Sequence, residues 1–134
     1  MRRYILDTGP AQNYVQRRGG IYQRTREKVA AGHRVGIAMP TLCELFAGVE
    51  NSDTRDHNYV RLKHNLQSLT LWPLDRGAAE EFGRQFAFLK RIGRPMPQMD
   101  IQIASIALSL GNCTLVTKDS DFAAILGLMI EDWS

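Results

Sequence analysis

Acidic residues follow several short apolar segments of this sequence, each with the composition of a buried strand. One such segment ends at Asp7, another is followed within a few residues by Glu44, and a third is followed by Asp119 and Asp121. Asp100 stands at the start of a segment with helical spacing. Because ligands bind beyond the carboxyl ends of the strands in an open α/β sheet, we expect these carboxylates near one edge of a sheet.

Carboxylates gathered at a partly buried edge repel one another and raise each other's pKa unless a cation compensates. Ligand sets made only of oxygen suit Mg²⁺ or Mn²⁺, which also accept phosphate oxygens. A zinc site is not indicated, because His33, His57 and His64 have no HxxxH spacing and Cys43 and Cys113 stand alone. The sequence therefore predicts metal-assisted hydrolysis of a phosphodiester.

Each acid also has a structural explanation, which the residues alone leave open. Asp7 could be a turn residue, and Asp100 could favour the positive end of a helix dipole. Glu44 could complete a capping box with Thr41, and Asp119 could be an ordinary loop acid. The common position of these acids at the predicted edge is what favours the catalytic interpretation.

Short strands and longer amphipathic helices must position these acids. The predicted strands are Arg3–Leu6, Val35–Met39, Leu69–Leu74, Thr114–Val116 and an edge strand within Ile125–Trp133. The predicted helices are Gly20–Ala31, Thr41 to about Gly48, Asp53–Ser68, Asp75 to about Gly93, and Asp100–Leu110. Asp7-Thr8-Gly9-Pro10 is predicted to be a turn. This alternation indicates an α/β layer fold with a mainly parallel central sheet.

Length and composition indicate a single soluble domain over residues 1–134, with 44% hydrophobic and 23% charged residues. The net charge of +3 is compatible with a polyanionic partner. No apolar run is long enough to cross a bilayer, and Asp7 arrives before a signal-peptide apolar region could form. We therefore expect a cytoplasmic protein without membrane contact, in which Cys43 and Cys113 are reduced, buried thiols.

Two groups of basic residues could follow a nucleic-acid backbone or could simply be solvated helix faces. One group crowds the first helical region and consists of Arg17, Arg18, Arg24, Arg26 and Lys28. The other consists of Lys90, Arg91 and Arg94, shortly before Asp100. The second group is the better candidate because it is close in sequence to a candidate metal ligand, and Arg94 is its predicted substrate contact.

Four motifs occur in order along nearly the whole chain: Ile5-Leu6-Asp7-Thr8, Pro40–Gly48, Gly93–Ala104 and Thr114–Phe122. In this order and spacing they strongly resemble the PIN-domain family, and within it the VapC-type toxins of toxin–antitoxin pairs. The resemblance implies a PIN-like three-layer sandwich, with a central mainly parallel sheet flanked by helices. It also implies a Mg²⁺- or Mn²⁺-dependent endoribonuclease.

By this resemblance, Asp7, Glu44 and Asp100 match three acidic metal-site positions of the family. The fourth position departs from the common pattern, because only Ser120 separates Asp119 from Asp121. We favour Asp119 as the fourth acid and keep Asp121 as the alternative, or as a residue that fixes the loop.

Thr8 and Thr117 have hydroxyls that could orient a carboxylate or a water, or could merely stabilise a turn and a strand end. The resemblance further implies that water attacks phosphorus in line and leaves 5′-phosphate and 3′-hydroxyl ends. It implies an RNA substrate, a cognate antitoxin and a homodimer.

Two other functions compete with this interpretation. Asp7-Thr8-Gly9 also spells the active-site triplet of aspartic proteases, but their fold is almost entirely β and does not fit the helical periodicity from Glu80 to Leu110. The alternative that stays open is a catalytically inactive RNA-binding or antitoxin-binding module of the same fold. The presence of an acid at every matched position favours the enzyme.

Overall fold

Five parallel strands form the centre of the computed structural model, which describes residues 1–134. The strands are β1 (Arg3–Leu6), β2 (Arg34–Ala38), β3 (Thr70–Trp72), β4 (Cys113–Val116) and β5 (Met129–Glu131). The helices are α1 (Thr8–Gln16), α2 (Ile21–Ala30), α3 (Met39–Glu50), α4 (Arg55–Asn65), α5 (Arg76–Arg91) and α6 (Gln98–Leu110), with a short 3₁₀ helix at Ser120–Ala124.

The strand order β3-β2-β1-β4-β5 places β1 in the middle of the sheet. Ile5 is opposite Gly36 of β2, and Leu6 is opposite Val116 of β4. Since all pairs are parallel, every strand ends at the same edge of the sheet. We call this edge the carboxyl edge, and it is the edge at which the sequence analysis predicts the acids.

Side chains of β1 alternate between two hydrophobic cores. Ile5 contributes to the core beneath α5 and α6, whereas Tyr4 and Leu6 contribute to the core beneath α1, α2, α3 and α4. All three side chains are buried, as expected for a central strand covered on both faces. The resulting helix–sheet–helix arrangement confirms the predicted three-layer α/β fold.

Most predicted elements are present, with shifted ends. The main error concerns Asp7-Thr8-Gly9-Pro10, which is not a turn, because α1 begins directly at Thr8. Pro10 is tolerated there because the first turn of a helix has no intrahelical partners for its N–H groups.

The predicted cap at Thr41 is also wrong. The helix α3 begins at Met39, and Thr41 lies inside it as a buried residue whose hydroxyl has no hydrogen-bond partner. The prediction that both cysteines are buried is half correct, because Cys113 is buried but Cys43 on α3 is exposed. No helix has the length and apolar character needed to span a membrane.

Candidate active site

Asp7 occupies the junction between β1 and α1. Its backbone N–H donates to the Val116 carbonyl (2.9 Å), and its carbonyl accepts from the Ala11 N–H (2.8 Å), so both neighbouring elements fix its position. Its carboxylate makes no capping bond to the helix and instead accepts a hydrogen bond from the Thr117 hydroxyl (2.8 Å). The half-buried carboxylate is therefore not used to stabilise a turn.

The loop after β4 is held by a relay of hydrogen bonds. The Thr117 hydroxyl accepts from the Asp119 N–H (3.0 Å), and Asp119 Oδ1 accepts from the Asp121 N–H (2.9 Å). The Thr117 N–H donates to the Glu131 carbonyl of β5 (3.0 Å), which anchors the loop to the sheet. The carboxylate that fixes this loop is thus that of Asp119, and one of its oxygens remains outside the bond to Asp121.

Glu44 reaches the same edge from α3, which follows β2 almost without a loop. Its side chain is exposed. The capping box with Thr41 does not form, because the helix begins two residues before Thr41. The helix start therefore does not account for this acid.

Asp100 is the point on which the acidic groups converge. It is the third residue of α6 and is half-buried, and its pKa is raised to about 6. Burial is the main cause, followed by the negative charges of Asp7, Asp119, Glu44 and Asp121. Four chain segments that are distant in sequence thus place carboxylates around one another, as predicted. A carboxyl with a raised pKa beside other acids is typical of functional sites.

The donor set fits a hard divalent cation in its chemistry. The charged groups that shift the pKa of Asp100 are all carboxylates, and no cationic side chain is among them. No three His, Cys, Asp or Glu side chains are close enough together to enclose a metal ion directly. Mg²⁺ keeps several of its waters and often binds through one or two carboxylates together with substrate phosphates, so an open edge of this kind suits it better than a cage would.

Two further predicted residues differ in position. Thr8 is the first residue of α1, next to Asp7, and is half-buried. Arg94 is exposed in the connector between α5 and α6, and it is not among the charges that affect Asp100. The structure thus brings Thr8 to the acidic edge but gives no sign of an electrostatic contact between Arg94 and Asp100.

The main grooves of the molecule are lined by none of the five acids at the carboxyl edge. A groove of about 220 Å³ between α1, α3 and α4 is lined by residues such as Val15, Leu45 and Leu62, and includes none of the acids around Asp100. An open acidic edge is suited to a polymer that passes over it rather than to a small molecule that is enclosed.

No acid beyond the predicted ones affects Asp100. The sequence interpretation missed the helix that positions Asp7. This helix, α1, starts at the carboxyl edge itself, with Asp7 as its N-cap residue. The available signal was an Asp followed by Pro within the first helical turn, which is a helix-start pattern as well as a turn pattern.

Comparisons with known proteins agree with this geometry. A family model described as "PIN domain" matches residues 4–127. The chain is 33% identical over 98 residues to a protein of Shigella flexneri named "tRNA(fMet)-specific endonuclease VapC", covering 73% of this chain and 74% of that one. It is 29% identical over 133 residues to "Ribonuclease VapC2" of Haemophilus influenzae, covering 99% of both chains.

Solved structures are similar over nearly the full length. A chain from the DNA-bound VapBC of Salmonella typhimurium matches with a TM-score of 0.91 and 30% identity, covering 100% of both chains. A chain from VapBC2 of Rickettsia felis, bound to a DNA fragment from its promoter, matches with a TM-score of 0.90 and 26% identity, covering 98% of this chain and 99% of that one.

Proposed function

This chain belongs to the PIN domain family, and we propose that it is an endoribonuclease and the toxin of a VapBC-type toxin–antitoxin pair. The observation that carries the proposal is the convergence of Asp7, Glu44, Asp119 and Asp121 on Asp100 at the carboxyl edge. Relatives that are named ribonuclease or tRNA-specific endonuclease support the reaction class.

Asp7, Glu44, Asp100 and Asp119 would hold Mg²⁺ or Mn²⁺ here, one or two of them directly and the others through waters that the ion keeps, with Asp121 as the alternative to Asp119. Such an ion, when bound, lowers the pKa of a water and offsets the negative charge that develops on the phosphate oxygens. The requirement for a divalent cation is part of the proposal, since the carboxylates repel one another without one.

The chain's own groups position the reactants and move the proton. A carboxylate of the cluster accepts a proton from the attacking water, whose oxygen forms a bond to phosphorus as the bond from phosphorus to the 3′-oxygen breaks. The 3′-oxygen leaves with a proton taken from solvent water, which gives 3′-hydroxyl and 5′-phosphate ends. Thr117 keeps the Asp7 carboxylate in one orientation. The Thr8 and Thr117 hydroxyls and the Arg94 guanidinium are the proposed contacts to the RNA.

The proposed partners are RNA as substrate, a cognate antitoxin protein and a second copy of this chain. The antitoxin is supported by the similar chains, whose structures are VapBC complexes. The proposed location is the cytoplasm, where RNA is present and where the exposed thiol of Cys43 would stay reduced.

Cleavage of a mixed RNA pool tests the proposal. The purified chain, free of copurified antitoxin, is incubated with Mg²⁺, with Mn²⁺ or with EDTA, and the cut ends are sequenced. We expect discrete cuts with 5′-phosphate ends in the presence of either metal and none in EDTA. Asp7→Asn and Asp100→Asn should abolish cutting, while both variants still fold, with an unchanged circular-dichroism spectrum and a cooperative melting transition.

Two outcomes would contradict the nuclease. If the chain binds RNA but does not cut it with any divalent cation, it is the inactive binding module. If Asp7→Asn and Asp100→Asn fail to fold, the acids are structural, and their grouping at the edge does not indicate catalysis.

A further inference from the structure

The positive charge of the chain is concentrated in its first 34 residues. Eight of the 17 Lys and Arg residues lie there, together with only two acids, Asp7 and Glu27, which gives this part a formal charge of +6. The remaining 100 residues hold nine Lys and Arg and twelve acids, a formal charge of −3. Since Asp7 belongs to the carboxyl edge, the excess falls mainly on α2 and the segments that flank it.

Two arginines hold one tyrosine between α1 and α2. The Arg17 guanidinium lies 3.8 Å from the centre of the Tyr22 ring, and that of Arg26 lies 5.7 Å from the same ring. Arg17 also donates to the Tyr14 carbonyl (2.7 Å), which fixes the side chain on the end of α1. Stacking on a ring orders these guanidinium groups without neutralising their charge.

Two further cations lie on the other side of α2. Arg24 and Lys28, four residues apart and therefore on one side of the helix, lie over the Trp133 ring (5.7 Å) and the Tyr4 ring (5.2 Å). Both rings are buried in the core beneath α2. The two cations therefore lie over aromatic rings whose positions are fixed by the core, with Arg24 exposed and Lys28 half-buried.

None of these four cations forms an ion pair, in contrast to other helices of the molecule. On α5, Arg76 pairs with Glu80 and Arg84 pairs with Glu81, and Arg55 of α4 is also paired. Pairs of that kind cancel charge locally, as on an ordinary solvated helix face. The charges around α2 are left for an anion outside the chain.

Both sides of α2 lie within reach of the acidic edge. Tyr4, which supports Lys28, precedes Asp7 by three residues of β1, or about 10 Å at ~3.3 Å per residue. The helix α1, nine residues or about 14 Å long, connects Asp7 to Arg17. At ~3.4 Å per nucleotide along a strand, about four nucleotides cover such a distance.

We propose that the α2 surface, formed by Arg17, Arg24, Arg26 and Lys28, binds the phosphodiester backbone of the RNA beyond the few nucleotides held at the acidic edge. This assignment rests on the proposed nuclease function and adds to it a second contact region on the substrate. The α2 surface determines how tightly long RNA binds, and it takes no part in bond cleavage. Short RNA does not reach it.

Binding and cleavage are measured for Arg24→Gln/Arg26→Gln, which removes one charge from each side of α2. Fluorescence anisotropy with a 30-to-40-nucleotide RNA in EDTA, at several salt concentrations, should show affinity about tenfold weaker. The slope of log K against log salt should be smaller in magnitude by about 1, at ~0.7 per lost phosphate contact. Cleavage of a dinucleotide, which is too short to reach the α2 surface, should keep its kcat/KM.

Arg76→Gln/Arg84→Gln is the matched control, because it removes the same charge from helix cations that are already paired. The assignment of RNA binding to the α2 surface is overturned if both double variants lose the same affinity or if neither loses any. It is also overturned if the unaltered chain does not bind the long RNA. Loss of affinity in Arg24→Gln/Arg26→Gln alone supports it. Binding in EDTA does not depend on cutting, so a chain that shows this loss but never cuts RNA refutes the proposed nuclease and not the surface.

Discussion

The hydroxyl of Thr117 donates a hydrogen bond to the Asp7 carboxylate over 2.8 Å, and it accepts one from the Asp119 N–H over 3.0 Å. A single side chain thus connects the acid that follows β1 to the loop that follows β4. The connection depends on register, because Leu6 and Val116 are paired across the two strands and their successors therefore lie side by side. Thr117 is accordingly a positioning residue for two of the proposed metal ligands.

Thr117→Val should reduce RNA cleavage by about one to two orders of magnitude and lower stability by about 1–2 kcal/mol. The valine keeps the shape but leaves Asp7 free to rotate and the Asp119 N–H without its acceptor. Thr117→Ser retains the hydroxyl and should restore most of the activity. Initial cleavage rates and urea denaturation measure the two effects.

Thr114→Val is the control on the same strand. The Thr114 hydroxyl is buried and has no partner, so its loss should leave activity unchanged and leave stability equal or slightly higher. If Thr117→Val were as active as the unaltered chain, the hydrogen bond to Asp7 would not position the acid for the reaction.

The sequence was sufficient for elements in which one local signal dominates. Asp75 was predicted to cap a helix, and its carboxylate accepts a hydrogen bond from the Ala78 N–H (2.9 Å) at the start of α5. The strand Arg3–Leu6 was predicted to the residue. In both cases the local propensity agrees with the burial that the fold requires.

The errors in the predicted helix boundaries arose where one sequence pattern is compatible with two local structures. Gly9-Pro10 after Asp7 is typical of a turn and also of a first helical turn, and only the packing of α1 residues such as Tyr14 against the sheet decides between them. Thr41 could have been a cap, but Pro40 already fits the first turn of a helix that starts earlier.

The acidic residues of the site were predictable because each one follows a strand or begins a helix. The bonds that orient them were not. That Thr117 reaches Asp7 rather than a backbone group depends on the pairing of β1 with β4, which is a contact between residues 110 positions apart. No periodicity in the sequence encodes that register.

Gly36→Ala should destabilise the chain by about 1–3 kcal/mol, because an added methyl group would collide with the Thr70 backbone where β2 approaches β3. Since β2 leads directly into α3, the collision should also displace Glu44, and the rate of cleavage should fall together with stability.

Gly48→Ala in α3 is the control. A methyl group there meets nothing within 4 Å, so stability should rise by about 0.5–1 kcal/mol. Equal melting temperatures for the two variants would contradict the close approach of the strands.

Asp100 should make the chain less stable as the pH rises. Its pKa is about 6 in the folded chain, against its usual 3.8, so the folded state binds more protons between these values and the free energy of unfolding falls with rising pH. Asp100→Asn should therefore raise Tm at pH 8 and have no such effect at pH 3.5. The full shift corresponds to about 3 kcal/mol, which solvent screening of this half-exposed carboxyl reduces to about 1 kcal/mol, or about 3–4 °C.

Asp53→Asn removes the same charge from an exposed residue that is not among the groups affecting Asp100, and it should leave Tm unchanged at both pH values. Mg²⁺ at millimolar concentration should raise Tm of the unaltered chain at pH 8 and have little effect on Asp100→Asn, since bound cation relieves the repulsion. If Asp100→Asn were less stable than the unaltered chain at pH 8, Asp100 would stabilise the fold instead.

The two acids of the loop after β4 should differ in importance. Asp119→Asn should reduce cleavage by two orders of magnitude or more, while Asp121→Asn should reduce it less than tenfold. Of the two, the charge of Asp119 acts more strongly on Asp100, and Asp121 contributes the weakest of the four repulsions. An asparagine at position 119 can still accept the hydrogen bond from the Asp121 N–H through its Oδ1, so the loop keeps its shape and the substitution tests charge alone. Initial rates with saturating Mg²⁺ measure the difference, and the reverse order of sensitivity would make Asp121 the fourth metal ligand and leave Asp119 with the task of holding the loop.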